Sequence, residues 1–311
     1  MDARAWDAFC DAARNGTVFH TRAFLDYHPP GRFAWDHAAL MSDGGEPLAL
    51  FPAAAVDEDG IRTWWSGAGA SFGGPVLREG AGPDEAAAAV ERIVAEARAR
   101  GYRRIRTTPP PPVYEADGEG VAREALRAAG FRVVRSEITQ AAPLAGRSPD
   151  DLLDGPARRG ARKAERERVM VREETAYAEF HELLVEDRRA MDAAPVHSRE
   201  ELEDLARRLG SRQVLLLARR DGEPIAGTWL LAAGRRVAMS FYVCQVRAQR
   251  RLRATNLLTL HALRWSAARS LHQLDYGTSS IDGRLNEGLF AFKEAHGGRP
   301  GRRETYEIEV P

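Results

Sequence analysis

Two distant stretches of the chain read almost alike. Gly45-Glu46-Pro47-Leu48-Ala49 in the first half is matched by Gly222-Glu223-Pro224-Ile225-Ala226 in the second. Five residues alone constrain little, but the order of elements around them repeats as well. In each half two helical stretches precede a hairpin. Another strand, a loop, a long helix and a further strand follow it. A chain of 311 residues has room for two domains. The duplication therefore predicts two copies of one α/β domain, 1–145 and 146–311. The closing alternation Tyr306, Ile308, Val310 predicts a strand over 303–310 that can pack back on the first domain.

Pattern and punctuation place the individual elements. Helices are expected over 2–14, 21–27, 84–100, 119–129, 177–191, 199–209 and 254–270, each with apolar residues at helical spacing or a Gly or Pro stop. Strands are expected over 34–41, 47–56, 61–66, 103–107, 131–135, 213–218, 223–232, 236–244 and 274–277. Gly44-Gly45, Asp57 to Gly60 and Asp221-Gly222 supply turn signals. Residues 141–160 are rich in Pro, Gly, Asp and Arg and are read as the boundary. Pro109 to Pro112 cannot lie inside a helix.

Composition excludes some functions. With 45 basic and 45 acidic residues the net charge is zero. This argues against broad coating of nucleic acid and leaves room for a local basic patch. Cys10 and Cys244 are far apart and lack metal-ligand spacing. The eight histidines are scattered without an HExxH pattern, so no metal is expected. No apolar run approaches the ~20 residues of a membrane helix, and the N-terminus is too charged for a signal peptide. The expectation is a soluble, cytoplasmic protein with no membrane contact.

Chemistry-bearing residues concentrate in the second half. Asp275-Tyr276-Gly277-Thr278-Ser279-Ser280, the turn at Asp282-Gly283 and Arg284 to Ala295 read as a strand end, a polar loop and a helix. Leu285, Leu289 and Phe292 fall on one side of that helix, and Gly297-Gly298 stops it. Polar loops between a sheet strand and a helix are where α/β proteins place ligands. The basic run Arg158 to Arg168 can grip phosphates or form a solvated helix face with Glu165 and Glu167 as counter-charges. Gly67 to Pro75 is glycine-rich but lacks GxxxxGK[ST], so it is not a P-loop. No GxSxG elbow is present.

Several stretches taken in order resemble the Fem family of non-ribosomal peptidyl transferases and the related BioF2-like tandem acetyltransferase-like proteins. They are Val18-Phe19-His20-Thr21, Gly73-Gly74-Pro75, Arg158 to Val169, Leu274-Asp275-Tyr276-Gly277 and Asn286 to Gly297 with Phe292-Lys293-Glu294. The resemblance spans almost the whole chain. It implies an α/β (α+β) fold of two tandem GNAT-like domains, each a mixed, mainly antiparallel sheet flanked by helices. It implies an N-acyltransferase that forms an amide bond, with aminoacyl-tRNA as the common donor. The acceptor is then an amine of a peptide-like or cell-wall-precursor molecule, and no cofactor is held permanently.

The family's FKxxFG-like motif puts its lysine at Lys293. Here Ala295-His296-Gly297 stands where an aromatic often precedes the glycine. Acyl-CoA-dependent relatives carry a Q/R-x-x-G-x-G/A loop whose backbone N–H groups hold pyrophosphate. Its counterpart is Gln249-Arg250-Arg251-Leu252-Arg253-Ala254, with Leu252 in place of a glycine. A side chain there is expected to hinder close backbone approach, which favours a tRNA-borne donor.

The candidate catalytic residues are Lys293, for charge on the donor, and Asp275 or Tyr242, for proton removal or ordering. Gln249, Arg250, Arg251 and Arg253 are the candidate donor contacts. Arg162, Lys163, Thr278, Ser279 and Asn286 are the candidate acceptor contacts. The expected partners are tRNA, touched locally, and a small-molecule or peptide amine. Two rival readings share the fold: an acyl-CoA-dependent N-acyltransferase, and a non-catalytic binding module.

Overall fold

The computed structural model describes residues 1–115 and 120–311; the expected helix start at Glu119 lies outside the described residues. The chain forms two compact units. The first is Met1–Ile138 with Ser280–Arg284 and Arg302–Pro311. The second is Thr139–Ser279 with Leu285–Gly301.

In the first unit, helices α1 (Ala3–Ala12) and α2 (Arg22–Leu25) are followed by strands β1 (Ala34–Trp35), β2 (Ala38–Met41), β3 (Pro47–Phe51), β4 (Ala54–Glu58), β5 (Ile61–Ser66) and β6 (Val76–Leu77). Then come α3 (Pro83–Ala99), β7 (Arg104–Thr107), α4 (Val121–Ala128) and the start of β8 (Arg132–Pro143). The expected strand over 47–56 is broken at Pro52, which has no N–H to give to a ladder. β3 therefore pairs with β2 and β6, and β4 pairs with β1 and β5 in a different sheet. β5 and β7 run parallel, joined through α3, and β7 pairs antiparallel with the last strand, β16 (Arg299–Glu309). α3 starts with Pro83 and the acidic pair Asp84 and Glu85, suited to the positive end of a helix. It buries Ala86, Val90, Ile93 and Ala97 against Trp64, Tyr102, Ile105 and Tyr306.

The second unit repeats the plan. After α5 (Pro149–Leu152) and α6 (Gly155–Arg166) come β9 (Met170–Glu174), α7 (Tyr177–Arg189), α8 (Arg199–Leu209), β10 (Gln213–Arg220), β11 (Glu223–Gly234) and β12 (Val237–Gln245). Next are α9 (Ala254–Ala268), β13 (Gln273–Thr278), the short β14 (Ser280–Ile281) and β15 (Arg284–Leu285), and α10 (Glu287–Ala295). β9, β10, β11 and β12 are antiparallel in that order. β12 and β13 are the parallel pair, joined through α9, and β13 pairs antiparallel with residues 139–143 of β8. In both units a long helix thus crosses between two parallel strands of a mainly antiparallel sheet. Asp59-Gly60 between β4 and β5 and Asp221-Gly222 between β10 and β11 each place two residues at positive φ, as a type I′ turn requires.

Three local expectations change. Residues 132–143 form one strand, which runs on beyond residue 135 with Glu137, Thr139, Gln140 and Ala142 buried. The stretch read as a boundary is largely helical: Asp154 caps α6, whose small face of Ala157, Gly160, Ala161 and Ala164 is buried. Arg284 and Leu285 are strand, so the last helix starts only at Glu287.

The core of the second unit is made by Leu257, Leu258, Leu263 and Trp265 of α9 against Leu216, Leu230, Ala238 and Leu274 of the sheet. On the sheet's other face α7 approaches closely. A Cβ on Gly227, in the middle of β11, would lie 2.8 Å from both Phe180 and Leu217. Gly227→Val should therefore lower the unfolding free energy by about 1–3 kcal/mol through overpacking. Chemical denaturation of the variant checks this, with the midpoint expected to fall.

Candidate functional site

The site grows from a geometric consequence of the sheet. β12 and β13 pair only at Val237–Gln273, Ala238–Leu274 and Met239–Asp275. β12 nevertheless continues to Gln245 and β13 to Thr278, so the two parallel strands part beyond Met239 and Asp275. An opening at the carboxyl ends of neighbouring parallel strands is a favoured ligand position in α/β sheets. Ser240, Phe241 and Tyr242, which follow the last paired position on β12, are all half-buried.

One wall of the opening is the end of β13. Its pairing with β8 slips between Asp275 and Thr278, so Tyr276 and Gly277 bulge, and Gly277 takes φ +72°. Asp275 is 1% exposed, and its Oδ1 accepts from the Gly277 N–H at 2.7 Å and from Thr139 Oγ1 at 3.3 Å. Lys293 fixes the other side of the bulge. Its Nζ donates to the Gly277 carbonyl at 2.9 Å and to the Thr278 carbonyl at 2.6 Å. Burial brings its pKa down to about 8, opposed by the charge of Asp275.

Lys293 reaches this position because α10 is inside out. The helix buries Lys293 and leaves Leu289 exposed, while Phe292 is half-buried and Leu285, outside the helix, is exposed. The expected apolar stripe of Leu285, Leu289 and Phe292 is therefore not a core face. Its spacing is helical, but the sheet end offers backbone carbonyls, and an ammonium satisfies these where an alkyl group cannot.

Around the bulge the sequence candidates meet. Asn286 caps α10, its Oδ1 accepting from the Leu289 N–H at 3.0 Å, and its own N–H donates to the Ser279 carbonyl. The Ser279 hydroxyl is buried and donates to Gln140 Oε1 at 2.6 Å. Both side chains are thus engaged within the protein rather than offered to an acceptor. Thr278 is half-buried, and among the described residues no group holds its hydroxyl.

A buried network supports Lys293 from behind. His296 stacks on Phe292 with ring centroids 4.3 Å apart, and its Nδ1 donates to the Phe292 carbonyl at 2.7 Å. Its Nε2 accepts from Asn256 Nδ2, near the start of α9, at 3.3 Å. Burial lowers its pKa, so the ring is held neutral. The departure from an aromatic at this position therefore still supplies a buried ring. Tyr276 closes the network by donating to the His296 carbonyl at 2.8 Å. Gly298 is required at the turn beyond, since a Cβ there would lie 2.7 Å from the Lys293 carbonyl oxygen.

The other wall is the β12–α9 connection. Residues 247–252 form a 3₁₀ turn, and Arg253 takes φ +61° before the first residue of α9. Leu252 is 2% exposed and belongs to the core of the unit. The expected obstruction by its isobutyl group does not occur, because the side chain turns inward. Arg250, Arg251 and Arg253 are exposed, and among the described residues none of their guanidinium groups is held in an ion pair or hydrogen bond. Gln249 is half-buried, with its Oε1 buried and without a partner. Nearby, Gly160 of α6 packs on the Asn256 side chain of α9, 2.9 Å from where a Cβ would stand. Arg159, Arg162 and Arg166 project outward from α6, and Lys163 is half-buried.

Tyr242 lies on β12 past the parting, beside a bulge at Phe241. Its partner is a residue that the sequence does not single out: the Tyr242 hydroxyl is 2.6 Å from His197 Nδ1. His197 comes just before the Ser198 cap of α8, and only the fold joins it to β12. Burial pushes the Tyr242 pKa up to about 12, with Arg188 lowering it and Glu201 raising it. Among the described residues no three His, Cys, Asp or Glu side chains gather as a metal site, and no helix is long and apolar enough to cross a membrane.

With this geometry established, the comparisons place the fold. A family model described as an acetyltransferase (GNAT) domain matches residues 156–294. No curated protein matches the sequence. Among solved structures, FemX is similar with a TM-score of 0.77 at 14% identity, covering 100% of this chain and 96% of its own. L-PGS from Bacillus licheniformis has a TM-score of 0.60 at 14% identity, with 99% and 91% covered. A tandem GNAT protein from the clavulanic acid biosynthesis pathway has a TM-score of 0.52 at 16% identity, with 93% and 86% covered. The chain thus has a tandem GNAT fold. More narrowly, its fold is Fem-like.

Lys293 gives a direct test of the bulge. Lys293→Met leaves two buried carbonyls without a donor and should cost roughly 2–4 kcal/mol of stability. The wild-type Lys293 pKa, about 8, lies below its ordinary 10.5. Between those values the unfolded chain binds more protons, so this group's contribution to stability rises as pH increases from 8 to 10.5 and is lost as pH falls through 8. Denaturation of wild type and Lys293→Met across that range should show a pH-dependent difference of this sign.

Proposed function

We propose that the protein is an N-acyltransferase that moves an aminoacyl group from aminoacyl-tRNA to an amine of a peptide-like or cell-wall-precursor acceptor in the cytoplasm. The observation that carries this reading is the opening between β12 and β13, bounded by the Lys293-held bulge and by three unengaged arginines. A phosphate-rich donor suits Arg250, Arg251 and Arg253, whose guanidinium groups form charge-assisted bonds to phosphate oxygens. The unpartnered Gln249 oxygen adds an acceptor for a donor hydroxyl or amide N–H.

In the reaction a neutral amine attacks the ester carbonyl of the donor. A C–N bond forms, the C–O bond to the ribose breaks, the ribose oxygen leaves with a proton, and the nitrogen loses one. Positioning the two reactants supplies much of the acceleration. Lys293 acts chiefly by fixing the bulge, since two of its N–H groups are committed to backbone carbonyls. Its charge nonetheless lies at the sheet end, where a developing oxyanion is favoured. Asp275 sets the shape of the same bulge. Thr278 is assigned a contact to the acceptor, and Arg162 and Lys163 a phosphate or carboxylate contact.

One observation favours a second reading, an acyl-CoA donor. Leu252 packs into the core, so its side chain does not stand between the β12–α9 connection and a pyrophosphate. Offering the purified protein acetyl-CoA and, separately, a charged tRNA pool with a mixed amine panel separates the two. Label passing from tRNA to an amine, without saturable stabilisation by CoA, is the expected result. CoA-dependent acylation would replace the donor, and no transfer from either would overturn the acyltransferase reading. The triple variant Arg250→Ala, Arg251→Ala, Arg253→Ala should raise the donor KM roughly tenfold or more and flatten its salt dependence.

A further inference from the structure

We infer that Tyr242 and His197 act as one proton relay in the second unit, with Tyr242 taking a proton from the acceptor nitrogen and His197 accepting the proton that Tyr242 gives up. The inference rests on the acyltransfer reading above and assigns the base of that site.

Tyr242 lies on the part of β12 that borders the opening. Met239 is the last residue of β12 paired with β13, and Tyr242 follows three positions later, on the stretch that no longer has β13 beside it. The extra residue Phe241 in the pairing with β11 sets the direction of Tyr242, opposite Trp229. The Tyr242 hydroxyl meets His197 Nδ1 at 2.6 Å. In the tautomer with the ring proton on Nε2 the phenol donates to Nδ1, which leaves the oxygen lone pairs to accept from an amine.

The environment preserves this arrangement. The His197 ring is buried and packs edge-on against Phe241 at 5.6 Å and Tyr242 at 5.5 Å. Its backbone carbonyl accepts from His181 Nε2 of α7 at 3.2 Å. The charged groups facing the phenol are Arg188 of α7, which is paired with Asp187, and Glu201 of α8. Cys244 of β12, also close to Asp187 and Arg188, is kept a thiol by burial. Burial also keeps Tyr242 protonated at neutral pH, so the phenol passes a proton on rather than storing a charge.

In the step the N–H bond breaks as an O–H bond forms on Tyr242. The former phenol O–H bond breaks as an N–H bond forms on His197 Nδ1, and His197 becomes imidazolium. The imidazolium later returns its proton by the same route to the ribose oxygen or to solvent. Tyr242 touches the substrate; His197 acts through it and is a positioning residue.

The test uses the full chain with a charged tRNA pool as donor and glycine amide as acceptor. Tyr242→Phe keeps the ring and removes the hydroxyl; His197→Gln removes the imidazole. With glycine amide both variants should lose at least tenfold in kcat with the amine KM changed less than threefold, and lose the acid limb of the pH–rate profile. The double variant should be no slower than the slower single one, because the two residues act as a unit. If the wild type transfers and either folded single variant keeps its kcat and pH profile, the relay is overturned while the acyltransfer reading stands. A double variant slower by the product of the two single losses would likewise overturn it. If the wild type does not transfer to glycine amide, the reading beneath falls and the relay with it.

Discussion

The second unit depends on one buried ammonium. Lys293 holds the carbonyls of Gly277 and Thr278 where β13 leaves its pairing with β8. Without that donor the bulge would expose two carbonyls to an apolar interior, at a cost of roughly 1–3 kcal/mol each. Asp275 holds the same bulge through the Gly277 N–H, so two opposite charges clamp three backbone groups of Gly277 and Thr278. Burying a lysine is costly, which its lowered pKa records, and the cost is met by hydrogen bonds and by Asp275. The clamp keeps the end of β13 turned away from β12, and the opening persists as a built feature of the sheet.

The same topology explains why chemistry gathers in this unit. A helix crossing between two parallel strands leaves its N-terminus and both strand ends at one edge. Here that edge carries the arginines of residues 250–253, the Lys293 clamp and, on the unpaired part of β12, Tyr242 with His197. The first unit has the corresponding parallel pair, β5 and β7. There the glycine-rich stretch 67–75 follows β5, and Gly73 and Gly74 pack on its own strand ends: a Cβ on Gly73 would lie 2.3 Å from Ser66, and one on Gly74 3.1 Å from Thr107 Oγ1.

Much of the fold was legible in the sequence because it rests on local signals. Helical spacing in α3, α8 and α9, the Asp-Gly turns and the order of elements in each half gave the tandem α/β plan. Breaks came where one residue overrides a pattern. Pro52 divides what reads as one strand, and the run from Arg132 to Pro143 reads short because its first residues are exposed. The helix after the polar loop differs for another reason: periodicity records that Leu285, Leu289 and Phe292 share a side, but not that Leu285 and Leu289 are exposed while Lys293 is buried. Lys293, Asp275, Asn286, Thr278 and Ser279 do converge on one bulge, although Asn286 and Ser279 serve the loop itself. Leu252 was read as an obstruction because its direction is set by the core, which a linear motif does not contain. His197 left no signal at all: it lies 45 residues from Tyr242, and only the packing of α8 beside β12 joins them.

The central claim is that the parting of β12 and β13 is the place where donor and acceptor meet. Hydrogen exchange read by mass spectrometry tests it most directly, on the protein with and without a non-hydrolysable aminoacyl-tRNA analogue. The account predicts slower exchange in peptides covering 240–256 and 275–279, with the rest of the second unit unchanged. Binding that leaves both segments unprotected and slows exchange elsewhere would contradict it.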